Sequence, residues 1–465
     1  MTQVRGITAA AGSPIVERRA IDHIPASERH GRPFSQFTLW IAANLQITAV
    51  ITGALAVVLG GDVVWSLAGL LVGQALGGAV MALHGAQGPR LGLPQMISSR
   101  VQFGVWGAAI PIVLVCVMYI GFSATGTVLS GQALSQLLGV SDAGGIVIFA
   151  AVVVVFAVLG YRVIHAVGRV ASIVGIIAFA YMFTRLLVDQ DVGALLGNQH
   201  FALSKFLLAM SLSASWQIAY GPYVADYSRY LPEDTPPGRV FWMVWLGSVI
   251  GSQVAMTFGV FAAALAGDRF GHGQQVAFIV GLGATGSIAA LLYLSIAFGK
   301  ITITTLNAYG SVMSLATIVS GFRGNARLSQ AGRLFYVLLM IALTLWLALA
   351  ERDSFLKQFS SFLLFLLTFF TPWSAINLVD YYFINKEQYD IQAISDPDGR
   401  YGRWNVAGIA CYVIGVVVQI PFIDTPFYTG GLVSSLDGVD ISWIVGLVVP
   451  AVLYFITARR QPART

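Results

Sequence analysis

Lys300 lies inside an apolar run from Ala289 to Val319, where an ammonium group needs a task. A charge at mid-bilayer depth costs about 2.5–3.5 kcal/mol on insertion scales, so an ionisable residue there is by default a functional residue. The alternative is a lysine that snorkels to the headgroups or packs as a neutral amine. No carboxylate is expected in the same zone, which leaves carbonyls, hydroxyls or water as partners. Four amides, Asn44, Gln46, Gln217 and Asn307, fall in other apolar runs or beside Lys300. Each can donate and accept, which suits the rim of an amide-like heterocycle better than the charged termini of an amino acid. Any one of them could instead make an interhelical hydrogen bond, worth about 0.6 kcal/mol on average.

The elements that must position these groups follow from composition. Of 465 residues 57% are hydrophobic and 10% charged, against about 25% charged in soluble domains. The chain reads as an all-α polytopic membrane protein. Apolar runs of about 20 residues give twelve predicted spans, at 37–60, 64–84, 105–135, 144–160, 166–188, 203–224, 240–266, 284–318, 333–350, 355–384, 404–422 and 440–457. One set of loops carries Arg5, Arg18, Arg19, Arg29 and Arg32, then Arg90, Arg100, Arg162, Arg169, Arg229, Arg239, Arg323, Arg327, Arg333, Lys386, Arg400, Arg403, Arg459, Arg460 and Arg464. The other holds Arg185, Lys205, Arg269, Arg352 and Lys357. That bias puts both termini in the cytoplasm and Lys300 near mid-membrane on the eighth span. The polar N-terminus has no short apolar core with a cleavage site, so no cleavable signal is expected.

Several spans are interrupted. The first contains Asn44, Gln46, Thr48, Thr52 and Gly53; the third Gly121, Ser123, Thr125, Gly126 and Thr127; the sixth Ser211, Ser213, Ser215, Gln217, Gly221 and Pro222. Freed backbone groups in lipid must be satisfied within the protein, so such interruptions face a cavity or another helix. Breaks one repeat apart, in spans 1 and 6, fit two inverted halves around a midplane site. Close helix packing through small residues explains most of the 50 glycines. The expected organisation is an N-terminal tail at 1–34, repeats at 35–200 and 201–386, two further helices within 387–457, and a C-terminal tail at 458–465.

Three segments carry a resemblance to a known family: Gly88–Gly104 (GPRLGLPQMISSRVQFG), Ala225-Asp226-Tyr227-Ser228-Arg229-Tyr230, and Thr304-Thr305-Leu306-Asn307-Ala308-Tyr309. Together with span number, loop lengths and Val379-Asp380-Tyr381-Tyr382, the chain resembles the nucleobase:cation symporter-1 transporters, the cytosine, purine, allantoin and hydantoin permeases. The first segment looks closest to the purine and cytosine branch. The resemblance implies a leucine-transporter-like fold, with a 5+5 inverted repeat plus two C-terminal helices, working by alternating access. It implies a planar substrate held between an aromatic of span 3, matching Phe122, and one of span 6, matching Trp216 or, in another branch's register, Tyr220. Polar groups of spans 1, 6 and 8 would read the substrate edge, with Asn44, Gln46, Thr48, Gln217 and Asn307 as candidates. Gly126 stands where relatives carry a polar residue, which removes one expected hydrogen bond. Sodium-coupled relatives use span 8 hydroxyls that match Thr304 and Thr305, and hard cations take such oxygen ligands. Lys300 precedes Thr304 by one helical turn, so its ammonium could stand in for sodium when protonated and release the site when neutral.

The expected function is import of a nucleobase or related planar nitrogen heterocycle by cation symport. Coupling is to H+ or sodium-independent through Lys300, with Na+ as the alternative. The rivals are a sodium-coupled hydantoin or allantoin permease and an amino-acid transporter of the same fold. Asp226 and Arg229, at i and i+3, are either a surface pair or part of a gate. Pro89, Pro94 and Arg100 shape the connection between spans 2 and 3. The histidines lie in the tail or near span ends without metal-ligand spacing, and Cys116 and Cys411 read as buried thiols. No metal, no cofactor and no enzyme activity are expected. A channel would show a charged ring or repeated filter, and neither is present. The scattered basic residues exclude a nucleic-acid stripe. The expected partners are a small heterocycle and the lipid bilayer, around a monomer in the cytoplasmic (inner) membrane.

Overall fold

A run of helices too apolar for water accounts for nearly all of the computed structural model, which describes residues 22–159, 161–197, 199–271, 273–324 and 330–459. Arg5, Arg18, Arg19, Arg327, Arg460, Arg464 and His272 lie outside the described residues. Span 1 is two helices, α1 (Phe34–Asn44) and α2 (Ile47–Val58), bent by 61°. Span 2 is α3 (Val63–Leu91), and a short α4 (Gln95–Phe103) follows it. Spans 3, 4 and 5 are α5 (Ala109–Leu138), α6 (Asp142–Leu159) and α7 (Tyr161–Asp189), followed by one turn, α8 (Val192–Leu195). Span 6 is again two helices, α9 (Leu203–Ile218) and α10 (Gly221–Ser228). Span 7 is α11 (Pro237–Ala266), then a loop helix α12 (Gln275–Gly281) precedes span 8, α13 (Gly286–Arg323). The last four spans are α14 (Gln330–Glu351), α15 (Phe355–Val379), α16 (Val406–Val417) and α17 (Ser442–Arg459).

Among the described residues, seven stretches cross the length and hydropathy threshold for a membrane span, or eight with the bent α1–α2 pair. One of them, Ala331–Ile384, holds both α14 and α15, and the shorter α6, α9 and α16 complete the twelve predicted spans. α15 ends in a π turn, Asp380–Ile384, and the strands Asp424–Thr425 and Tyr428–Thr429 pair in the loop between α16 and α17.

Packing sorts the helices into two groups. α1, α2, α3, α9 and α11 pack on one another, while α5 packs along α13 and α6 and is joined by α14 and α7. α15 touches both groups through α9 and α5, and it packs outward on α17 and α16. Close approach of the first group needs residues without a Cβ. A Cβ on Gly53 would fall 2.2 Å from the Met256 carbonyl oxygen, and one on Gly259 would fall 1.8 Å from that of Val50. α2 and α11 therefore touch backbone to backbone, the small-residue interface expected where lipid supplies no hydrophobic drive between helices.

The connection between spans 2 and 3 is more ordered than a loop. All nine residues of α4 are buried. Arg100 donates to the Thr317 carbonyl at 2.8 Å and to Ser320 Oγ at 2.6 Å, tying α4 to α13. Gln102 donates to Asp380 at 2.8 Å, tying it to α15. Burial pulls the Arg100 guanidinium down to about 10, so these carbonyl and hydroxyl contacts compensate a costly desolvation.

Candidate functional site: a cavity between two helix breaks

The first break is made by Leu45 and Gln46. Leu45 leaves the helical region at ψ 72 and Gln46 is extended, at φ −146 and ψ 157. Side chains then serve the freed groups. Gln46 donates its amide to the Ala43 carbonyl at 2.7 Å, and Thr48 donates to Gln46 Oε1 at 2.9 Å. Lys300 Nζ reaches this point from α13, donating to Gln46 Oε1 at 2.6 Å and to Thr48 Oγ1 at 2.8 Å. The lysine is 3% exposed, and its two oxygen partners are an amide and a hydroxyl, with no carboxylate. Its stem passes beside Gly126, where an added Cβ would meet Lys300 Cδ at 3.4 Å and Thr304 Oγ1 at 3.5 Å. The absent side chain on α5 thus gives the lysine room.

The second break is gentler. Ala219 and Tyr220 keep helical dihedrals, but Pro222 has no N–H to continue the ladder. What gathers here is aromatic. Trp216 lies 5.7 Å from Phe122 edge-on, and Tyr220 lies 5.8 Å from Trp216.

Between the breaks is a cavity of about 460 Å³, within the range of small-ligand sites. Phe122, Trp216, Tyr220, Gln46, Thr48, Lys300 and Asn307 all line it. No Asp, Glu or Arg does so among the described residues. One end is closed by Val50, Phe258, Ile279 and Val280, each at most 4% exposed. There α12 is fastened to α5, because Gln132 Nε2 donates to Gln275 Oε1 at 2.8 Å and its own carbonyl accepts from the Val276 N–H. At the other end stands Tyr227, 40% exposed.

Residues 23–446 match the family model described as a permease for cytosine/purines, uracil, thiamine, allantoin. The chain belongs to this family. It is 36% identical to a putative purine-cytosine permease of Bacillus subtilis over 95% of both chains, and 25% identical to a purine-cytosine permease of Emericella nidulans over 94% of this chain and 87% of that one. Among solved structures, the permease resembles the inward-facing conformation of Mhp1 with a TM-score of 0.74 at 20% identity, covering 97% of this chain and 94% of that one. A closed Mhp1, a nucleobase-cation-symport-1 family transporter with bromovinylhydantoin bound, gives 0.73 at 19% identity over 96% and 95%. The chain is thus a multi-pass membrane transporter with the fold expected from its segments, and not an enzyme.

Four expected site residues lie off the cavity wall of the permease. Asn44 is fully buried, donating to the Trp40 carbonyl at 2.7 Å and to Ser248 Oγ at 3.1 Å, and accepting from Trp216 Nε1 at 2.7 Å. Gln217 faces α3 and α11: it donates to Gln74 Oε1 at 2.5 Å and Ser252 Oγ at 2.8 Å, and accepts from Ser248 at 2.6 Å. One residue past Trp216 is about 100° around a helix, so the two side chains cannot both face the substrate. Thr304 and Thr305 are also buried away from the lining, and Thr305 Oγ1 donates to the Ile301 carbonyl at 2.7 Å.

Asp226 and Arg229 do not line the cavity either and lie at the end of α10, next in sequence to Tyr227. Asp226 accepts the N–H of Gln95 at 2.8 Å, the first residue of α4, where a carboxylate complements the helix dipole. Arg229 is 3% exposed and donates to the carbonyls of Asp226 and Asp22 at 3.3 and 3.4 Å. His84 is not near a span end as expected. α3 runs on to Leu91, so His84 is interior, stacked on Trp373 with ring centroids 4.7 Å apart. No group of three His, Cys, Asp or Glu residues could hold a metal among the described residues, and both cysteines are free.

Sequence reasoning missed Trp40, Tyr119, Tyr223 and Tyr227, which all line the cavity. A signal was present in the spacing of Tyr220, Tyr223 and Tyr227, which puts three rings on one helical face.

Proposed function

We propose that this permease imports a neutral planar nitrogen heterocycle of the cytosine or purine type, by H+-coupled or sodium-independent symport through Lys300. The observation that carries this reading is the pairing of two unlike walls in one cavity. Phe122 and Trp216 present ring faces and edges to a flat ligand, while Gln46, Thr48 and Asn307 offer donors and acceptors for its rim. Base–aromatic stacking is worth about 1–3 kcal/mol per base in nucleic-acid binders. An amino acid would bring a second ammonium group beside that of Lys300, and the lining offers no carboxylate to offset it.

Lys300 supports the coupling assignment by position. Its ammonium is held by Gln46 and Thr48 at the α1–α2 break, the place where sodium would meet oxygen ligands. Protonated, it pins α13 to the break. Neutral, it keeps fewer donors and holds the break less firmly. In this reading both termini are cytoplasmic in the inner membrane, the repeats fall at 35–200 and 201–386, the protein acts as a monomer, and the Tyr227 end of the cavity opens inward.

The test is uptake of radiolabelled cytosine and hypoxanthine into proteoliposomes. A pH gradient, acid outside, drives accumulation without sodium. Accumulation on a sodium gradient alone at constant pH, with Lys300 intact, would overturn the coupling assignment. A thermal-shift screen of nucleobases, hydantoins and amino acids tests the substrate class separately, since a ligand of the native state raises its melting temperature.

A further inference from the structure

The cavity does not end at the Phe122–Trp216 pair. Aromatic rings continue from it in steps of nearly constant length: Trp216 to Tyr220 is 5.8 Å, Tyr220 to Trp40 is 5.2 Å, and Trp40 to Tyr227 is 5.6 Å. Tyr223 closes the side of this row, 5.7 Å from Tyr220 and 5.6 Å from Tyr119. These rings come from α1, α5, α9, the α9–α10 break and α10, and all of them line the cavity.

An aromatic stripe at helical spacing is ordinarily core. Here a buried polar atom argues against simple core. Trp40 is 1% exposed, yet its Nε1 has no hydrogen-bond partner among the described residues. Buried Trp N–H and Tyr O–H groups nearly always find one, and leaving one unmade costs about 1–3 kcal/mol. Trp40 lines the same cavity as Tyr227, which is 40% exposed.

We propose that Trp40, Tyr119, Tyr220, Tyr223 and Tyr227 form a second subsite for a neutral planar nitrogen heterocycle, one step along the cavity from the Phe122–Trp216 site. Trp40 Nε1 donates to a ring nitrogen or carbonyl oxygen of the ligand. The rings supply stacking surface without reading identity. The subsite holds substrate on its way between the central site and the Tyr227 mouth, and it has the weaker affinity because it has fewer edge groups. This rests on the substrate class proposed above.

Equilibrium binding of hypoxanthine to the purified full-length protein, by titration calorimetry, tests it. The wild type should show two binding steps. Trp40→Phe keeps a ring and removes only the N–H, and should weaken the second step about ten-fold while leaving the first within two-fold. Tyr227→Leu, at the exposed mouth, should also weaken the second step alone. Trp216→Ala should remove the first and leave the second. A single binding step that Trp216→Ala abolishes and that neither Trp40→Phe nor Tyr227→Leu alters would overturn the subsite while keeping the central site. Absence of binding by any heterocycle to a protein with an intact melting transition would overturn both.

Discussion

The two helix breaks occupy matching places in span 1 and span 6 but are built from opposite chemistry. At the α1–α2 break the backbone leaves the helix outright, bends by 61°, and is surrounded by an amide, a hydroxyl and an ammonium. At the α9–α10 break the dihedrals stay helical and the neighbourhood is Trp216, Tyr220 and Tyr223. In the function proposed above, the protein binds a flat neutral molecule and also senses a cation. Placing the polar task at the open break and the stacking task at the intact one lets each be tuned alone.

Lys300→Met is the harshest way to break that contrast. It removes the ammonium from the cavity wall and with it one donor to Gln46 Oε1. Accumulation on a pH gradient should fall by about a hundred-fold, which is the loss of about 2.8 kcal/mol of driving interaction at 1.4 kcal/mol per decade. Exchange of substrate across the bilayer without a gradient should persist. Uptake assays at several external pH values check this, and a variant that keeps full pH-dependent accumulation removes Lys300 from the coupling machinery.

Trp216→Ala should come next, and on the other axis. Losing a stacking ring should weaken binding by about 1–3 kcal/mol, roughly five- to hundred-fold, with the pH dependence of uptake unchanged. Gln46→Ala should do the converse, shifting pH dependence with a smaller loss of affinity. If both variants alter pH dependence equally, the division of labour between the breaks is wrong.

Much of this arrangement was legible beforehand. Twelve spans follow from apolar run lengths, and both breaks follow from polar and Gly-Pro interruptions, because lipid forces unmade backbone bonds to be noticed. The facing of individual amides was not legible. Asn44 and Gln217 are polar groups in apolar runs just as Gln46 is, yet they turn toward Ser248, Ser252 and Gln74. Which face of a helix meets the cavity depends on tertiary packing at α3 and α11. Nor could sequence join Lys300 to Gln46, 254 positions away. Arg100 was legible as shaping the connection between spans 2 and 3, but not its partners Thr317 and Ser320, which lie more than 200 positions away.

Asn44 shows how the off-wall residues still serve the site. Its side chain links the first break to the indole of the second, since it accepts from Trp216 Nε1 and donates to the Trp40 carbonyl and Ser248. Asn44→Ala leaves a buried indole N–H unpaired, at about 1–3 kcal/mol. The melting temperature should fall, and affinity should fall less than in Trp216→Ala, because the ring remains but is no longer held. An affinity loss as large as that of Trp216→Ala, with melting unchanged, would instead place Asn44 against the substrate.

The smallest effect is expected at Gly221. Its added Cβ would meet His84 Cδ2 and Trp373 Cζ3 at 3.4 Å, an ordinary contact. Gly221→Ala should therefore stabilise the protein by about 0.4–1 kcal/mol through a less mobile unfolded chain. Transport should stay within two-fold, because the second break already keeps helical dihedrals on its approach and does not use the glycine to reach a left-handed conformation. A raised melting temperature with turnover cut ten-fold and binding intact would mean that this break flexes during the cycle. The contrast would then reverse, with the polar break as the fixed anchor and the aromatic break as the moving part.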